Sequence, residues 1–279
     1  MGFINRLAKY LLFGGIIIYL VLPVIAVVLY SISTRWTAHI LPDGYTIANW
    51  HEALTRSRLG VVIGRTLVLA VSASIVDVLI VVPAVYWQRV QNPRIRPYLE
   101  IAAAIPFALP FILIAFGILV LMGQVLPFLL GTLPLLVLSI AAVQFPFLYW
   151  AVDGAMAAAN IKDLNEAGQT CGGSAFEIFK RVVMPNIGPG IATGGMLIFA
   201  GAFGEFALVQ LLVGNRYETI SLYSWNLING TNADYNVLAV VTVISFVFVF
   251  IISVINVYLN RGRGVVRALP GGQSFGGRL

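Results

Sequence analysis

Apolar residues run almost unbroken over six stretches, roughly 11–33, 66–87, 101–121, 133–152, 191–213 and 237–259. Each is close to the ~20 residues a helix needs to cross a hydrocarbon core, so the pattern predicts six transmembrane helices and an all-α integral membrane protein. The first stretch, LLFGGIIIYLVLPVIAVVLYSIS behind Arg6 and Lys9, is too long for a secretory signal core and lacks an A-x-A-like exit. It reads as a retained anchor. Three regions result: residues 1–10, a membrane domain over 11–259 containing a polar loop at 153–190, and a Gly-rich basic tail over 260–279. The tail has no apolar period, and disorder near anionic headgroups is the expectation for it.

Composition agrees with a lipid solvent. The 279 residues are 59% hydrophobic and 10% charged, with mean hydropathy +0.93, against about 25% charged in soluble chains. The net charge of +6 suggests nucleic acid only until the basic residues are placed, because they fall between the apolar runs and at both ends. With the termini on one side, that side holds Arg6, Lys9, Arg89, Arg94, Arg96, Lys162, Lys180, Arg181, Arg261, Arg263, Arg267 and Arg278. The opposite loops hold Arg35, Arg56, Arg58 and Arg216, while Arg65 sits at a helix mouth. The positive-inside bias therefore puts both termini in the cytoplasm. The single cysteine, Cys171, excludes an intramolecular disulfide framework.

Polar residues concentrate in the loop 153–190. Asp163 with Glu166 three residues on reads as an N-cap and its acidic partner, opening a short helix that Gly172 and Gly173 stop. Ser174 and Glu177 form an S-x-x-E capping box, after which Phe176, Phe179, Val182 and Val183 share a face until Pro185 ends the run. Two short helices meeting at a glycine elbow cannot form a core of their own. They must pack on the membrane helices, on another protein, or on both, and an interfacial amphipathic hairpin satisfies the same pattern.

The string Glu166, Ala167, Gly168, three residues, Gly172, nine residues, Val182, Val183, Met184, Pro185 resembles the E-A-A-x3-G-x9-I-x-L-P signature of binding-protein-dependent ABC importer permeases. It departs from it at Gly168, Val182 and Met184. The resemblance implies a type I importer permease with its core over roughly 60–260, whose inner loop is a coupling helix seated in a cleft of an ATP-binding subunit. Asp163, Glu166, Ala167, Gly168, Gly172 and Pro185 are then the ATPase-coupling residues. It also implies partners: an ATPase dimer carrying ATP and Mg, a second permease that is a paralogue or another copy, and an extracytoplasmic binding protein. No cofactor is expected on this chain. No G-x-x-x-x-G-K-[ST] loop occurs around Lys9, Lys162 or Lys180, so the chain itself is not an ATPase.

Three ionisable residues fall in or near the spans, where such groups mark function or tight pairing. Arg65 lies at an outer end and can snorkel. Asp77 serves either helix packing or the translocation pathway. Glu205, beside Gly201 and Gly204, serves either the pathway or a contact between subunits, and nothing near it in sequence offers a partner. His39 and His51 have no ligand cluster around them, so no metal site is expected.

The stretch 214–243 resembles polyamine-importer permeases, whereas Gly204, Glu205 and Phe206 resemble the sulfate, ferric-iron and aminoethylphosphonate branches. The cargo these resemblances imply is a polyamine or an aminophosphonate. A secondary transporter or channel is the rival class, but it requires a filter-like loop or paired broken helices, and the sequence suggests neither. An intramembrane enzyme is disfavoured because H-E-x-x-H and G-x-S-x-G are both absent.

Overall fold

The computed structural model describes residues 2–37, 39–229 and 233–260, with side chains from residue 9. The basic tail after Asn260 lies outside the described residues. Among them the helices are α1 (Gly2–Ser31), α2 (Ala48–Thr55), α3 (Ser57–Val90), α4 (Arg96–Ala108), α5 (Phe111–Val125) and α6 (Leu133–Ala158). They continue as α7 (Ile161–Thr170), α8 (Ala175–Ile178), α9 (Met184–Phe203), α10 (Ala207–Leu212), α11 (Ile220–Asn229) and α12 (Tyr235–Asn260). Five helical segments among the described residues are long and apolar enough to cross a membrane, namely Lys9–Ser31, Ser57–Val90, Leu133–Ala158, Ala175–Phe203 and Tyr235–Asn260.

The expected third span, 101–121, is not one helix. It bends by 105° between Pro93–Ala108 and Phe111–Val125, and makes the sixth crossing only if the two halves count as one. Pro110 is the cause. Its ring drives the preceding residue out of the helical region, and Leu109 is extended at φ −122, ψ 138. The fifth span, expected at 191–213, is interrupted too: α9 stops at Phe203 and α10 begins at Ala207. Broken helices that the apolar pattern did not suggest are thus present.

Contacts divide the chain into two units, Met1–Ile63 with Ile220–Phe250, and Gly64–Thr219 with Ile251–Leu279. In the first, a polar knot holds the end of α1. Asn49 Nδ2 donates to the carbonyls of Ser31 at 3.0 Å and Ser33 at 2.9 Å, and Asn236 Nδ2 donates to Ser33 O at 2.7 Å. Arg56 Nη2 reaches Glu52 Oε1 and Asp234 Oδ2, each at 2.5 Å. The loops before α3 and before α12 therefore lie on one side, as alternating spans require.

The second unit is organised by α6 against α9, its most extensive helix pairing. Gly190, Gly194 and Gly201 let the backbones approach: a Cβ on Gly194 would lie 2.8 Å from Leu148 Cα, and one on Gly201 would collide with the Gln144 amide. Small residues at such a seam are how helices gain dispersion contacts in lipid. The core beside the seam joins Val81, Val85, Leu148, Val152 and Met156 to Ile187 and Ile198.

Candidate functional site

The elbow between α6 and α9 is built differently from its sequence pattern at both ends. Asp163 is not the N-cap. α7 starts at Ile161, three residues before the position an Asp163 cap would give, after Asn160 in a left-handed conformation (φ 47) that makes no side-chain cap bond. Burial of Ile161, only 1% exposed, moves the start forward. Asp163 therefore lies in the first turn, where an acid still favours the helix dipole, and Glu166 falls a turn further in.

The stop matches the expectation. Gly172 takes φ +79, its amide donates to Gln169 O at 2.9 Å, and Gly173 N donates to Gly168 O at 3.0 Å. These two bonds satisfy the last carbonyls in a Schellman turn. Ser174 and Glu177 then form the reciprocal capping box. Its bonds, with Ser174 N–H foremost, its hydroxyl next, and Arg181 adding attraction, hold the Glu177 carboxyl below the usual carboxylate range.

Pro185 does not end the helix. The chain runs helical from Ala175 to Phe203, with a π turn over Phe179–Val183 immediately ahead of Pro185 in the first turn of α9. Proline lacks a donor and its ring crowds the carbonyl four residues back. The wider turn, in which Met184 N–H bonds Phe179 O five residues back, shifts the ladder where the ring arrives. The expected apolar face divides as well: Val183 is buried, but Phe176 is 71% exposed and Ile178 takes the core position.

Apolar residues anchor the elbow to the membrane helices. Ile161, Ile178 and Val183 join the core formed with α3, α6 and α9. Gly168 gains a reason here, because a Cβ on it would lie 2.9 Å from Ile178 Cγ1. The opposite side is polar and open, presenting Asp163, Glu166, Ala167, Cys171, Gly172 and Glu177, with Phe176 among them.

Contacts that the sequence did not single out tie this elbow to α3. Tyr86 Oη donates to Asn165 Oδ1 at 2.8 Å, and the Tyr86 ring meets Phe179 at 5.1 Å between centroids. Arg89 pairs with Asp153 through Nε at 2.5 Å and Nη2 at 2.6 Å. Gln88 Nε2 also donates to Asp153 Oδ1, and Tyr149 Oη donates to Gln88 Oε1. Arg89 and Asp153 read as loop charges in the sequence. Their opposite signs at the ends of α3 and α6 were the one available signal.

The remaining candidates are apart from the elbow. Asp77, 2% exposed, lines a cavity of about 400 Å³ with Val81, Leu99, Phe145 and Tyr149, and its Oδ2 has no hydrogen-bond partner among the described residues. Glu205 lies in the break between α9 and α10 and does have a partner: its Oε1 accepts from Leu208 N at 3.0 Å. The free amides of a new helix supply what the flanking side chains lack. Arg65 sits over the Tyr217 ring at 5.5 Å, and Tyr217 Oη donates to Arg65 O.

Residues 78–265 match the family described as binding-protein-dependent transport system inner membrane component. The molybdenum transport system permease protein of Azotobacter vinelandii is 30% identical over 164 residues, covering 55% of this chain and 72% of that one. The spermidine/putrescine transport system permease protein of Haemophilus influenzae is 24% identical over 266 residues, covering 88% and 92%. A crystal structure of a bacterial alginate ABC transporter, in complex with alginate pentasaccharide-bound periplasmic protein, contains a chain with the same fold (TM-score 0.72, 18% identity, 94% of this chain and 97% of that one). The family match covers the elbow, its flanking spans and both interrupted helices, and the chain belongs to the inner-membrane permease subunits of binding-protein-dependent ABC importers.

Proposed function

We propose that this permease forms half of a translocation pathway for a small solute handed over by an extracytoplasmic binding protein, and that the elbow docks in a cleft of an ATPase subunit. The observation that carries this reading is the two-sidedness of residues 161–183. Buried Ile161, Ile178 and Val183 fasten the elbow to the spans, while Asp163, Glu166 and Glu177 stand open on its other side. A rigid element fixed to the helices and polar on its free face can pass a push from one partner to the other. ATP and Mg belong to that partner, the termini face the cytoplasm, and a second permease completes the pathway.

For the cargo, we propose a polyamine or aminophosphonate. Support comes from the Haemophilus spermidine/putrescine relative, which aligns over most of both chains. An oxyanion is the second reading, favoured by the higher identity to the Azotobacter molybdenum permease. In this proposal Asp77 and Glu205 contact the cargo. Asp77 supplies an unpaired oxygen in an otherwise apolar cavity, and Glu205 is held in place by the start of α10.

Uptake into proteoliposomes containing the whole complex tests the reading. Glu166→Ala should abolish uptake without loss of membrane insertion. Glu205→Gln should lower uptake while ATPase stimulation by the loaded binding protein persists. Normal uptake by Glu166→Ala sinks the coupling role, and loss of assembly in Glu205→Gln makes that residue a helix cap alone.

A further inference from the structure

We infer that Tyr86, Gln88 and Arg89, at the end of α3, form a latch that carries movement of the elbow into α3 and α6. The inference rests on the proposed coupling role of the elbow and names the residues that make it mechanical. Tyr86 grips both arms of the elbow, by its hydroxyl on Asn165 of α7 and by its ring against Phe179 beyond α8. Two residues on, Gln88 bridges Tyr149 and Asp153 of α6, and Arg89 closes a two-bond fork on Asp153.

Burial gives the latch its stiffness. Gln88 is 1% exposed and Asn165 3%, so pulling Tyr86 from Asn165, or Tyr149 from Gln88, strands a polar group away from water. Apolar attraction is non-directional and assigns no particular partner to any one atom. A buried, mutually satisfied polar network has one low-energy register and resists such slippage. The fork adds direction, because a planar guanidinium on both carboxylate oxygens resists rotation as well as separation. Apolar anchoring alone therefore holds the elbow in place, and the latch makes it turn with α3 and α6.

Solute moved per ATP hydrolysed, measured on the complete complex in proteoliposomes, reads this function. Tyr86→Phe and Arg89→Asp should each assemble and hydrolyse ATP in response to the loaded binding protein. Tyr86→Phe should move roughly three- to tenfold less solute per ATP, the scale of one buried hydrogen bond. Arg89→Asp, which loses a charged fork and opposes two carboxylates, should lose more. The exchange Arg89→Asp with Asp153→Arg should recover much of the ratio lost by Arg89→Asp alone. An unchanged ratio in the single variants overturns the latch. So does a loss of uptake that only follows a loss of assembled complex, or a charge exchange that recovers nothing. A native complex that shows no ATP-dependent uptake overturns the functional reading itself, and the latch with it.

Discussion

Single side chains decide where the elbow begins, turns and resumes. Glu177 illustrates how its bonds can be read out. Its carboxyl is held below the usual carboxylate range by Ser174 N–H, then by the Ser174 hydroxyl, with Arg181 adding attraction. A group with a depressed folded value contributes above the ordinary range, about 4.3 for a glutamate, and loses its contribution as pH falls through the lowered value. The capping box should therefore persist at neutral pH and open only in acid. Ser174→Ala should move the Glu177 midpoint, followed by NMR, partway up toward the ordinary value. An unmoved midpoint would show that the hydroxyl has no part in it. The box and the turn at Gly172 were legible in the sequence because caps depend on neighbours in the chain. The start of α7 was not, because burial of Ile161 on distant helices outweighed the capping preference of Asp163.

The long helices follow from apolar length, and their interruptions follow from local chemistry that a hydropathy pattern averages away. Pro110 bends one span, and the residues 204–206 interrupt another, yet both segments read as continuous apolar runs. Glu205 shows what this hides: a carboxylate that looks alone within a helix accepts from the Leu208 amide once the helix restarts behind it. The α6–α9 seam offers a test of packing at this scale. Gly194→Ala places a Cβ 2.8 Å from Leu148 Cα, whereas a Cβ added at Gly195 would meet nothing within 4 Å. Overpacking costs of about 1–3 kcal/mol apply to the first and not the second. Thermal unfolding in detergent should show Gly194→Ala melting well below the native protein and Gly195→Ala close to it. Equal melting temperatures would show that the seam tolerates an extra methyl and does not depend on its glycines.

At the scale of the whole molecule, the all-helical membrane class, the inner elbow and the family were legible because each is written in contiguous residues. The latch and the Asp77 cavity were not, since both assemble residues separated by tens of positions. What joins the scales is the claim that the elbow faces the cytoplasm and is covered by an ATPase. Cys171, the chain's one cysteine, is exposed at the tip of that elbow. Its rate of maleimide labelling is the most direct measurement. A cytoplasmic, ATPase-covered elbow predicts no labelling by an impermeant reagent from outside intact cells, rapid labelling in inside-out membranes stripped of the ATPase, and slow labelling once the ATPase is restored. Labelling from outside, or a rate indifferent to the ATPase, would contradict it.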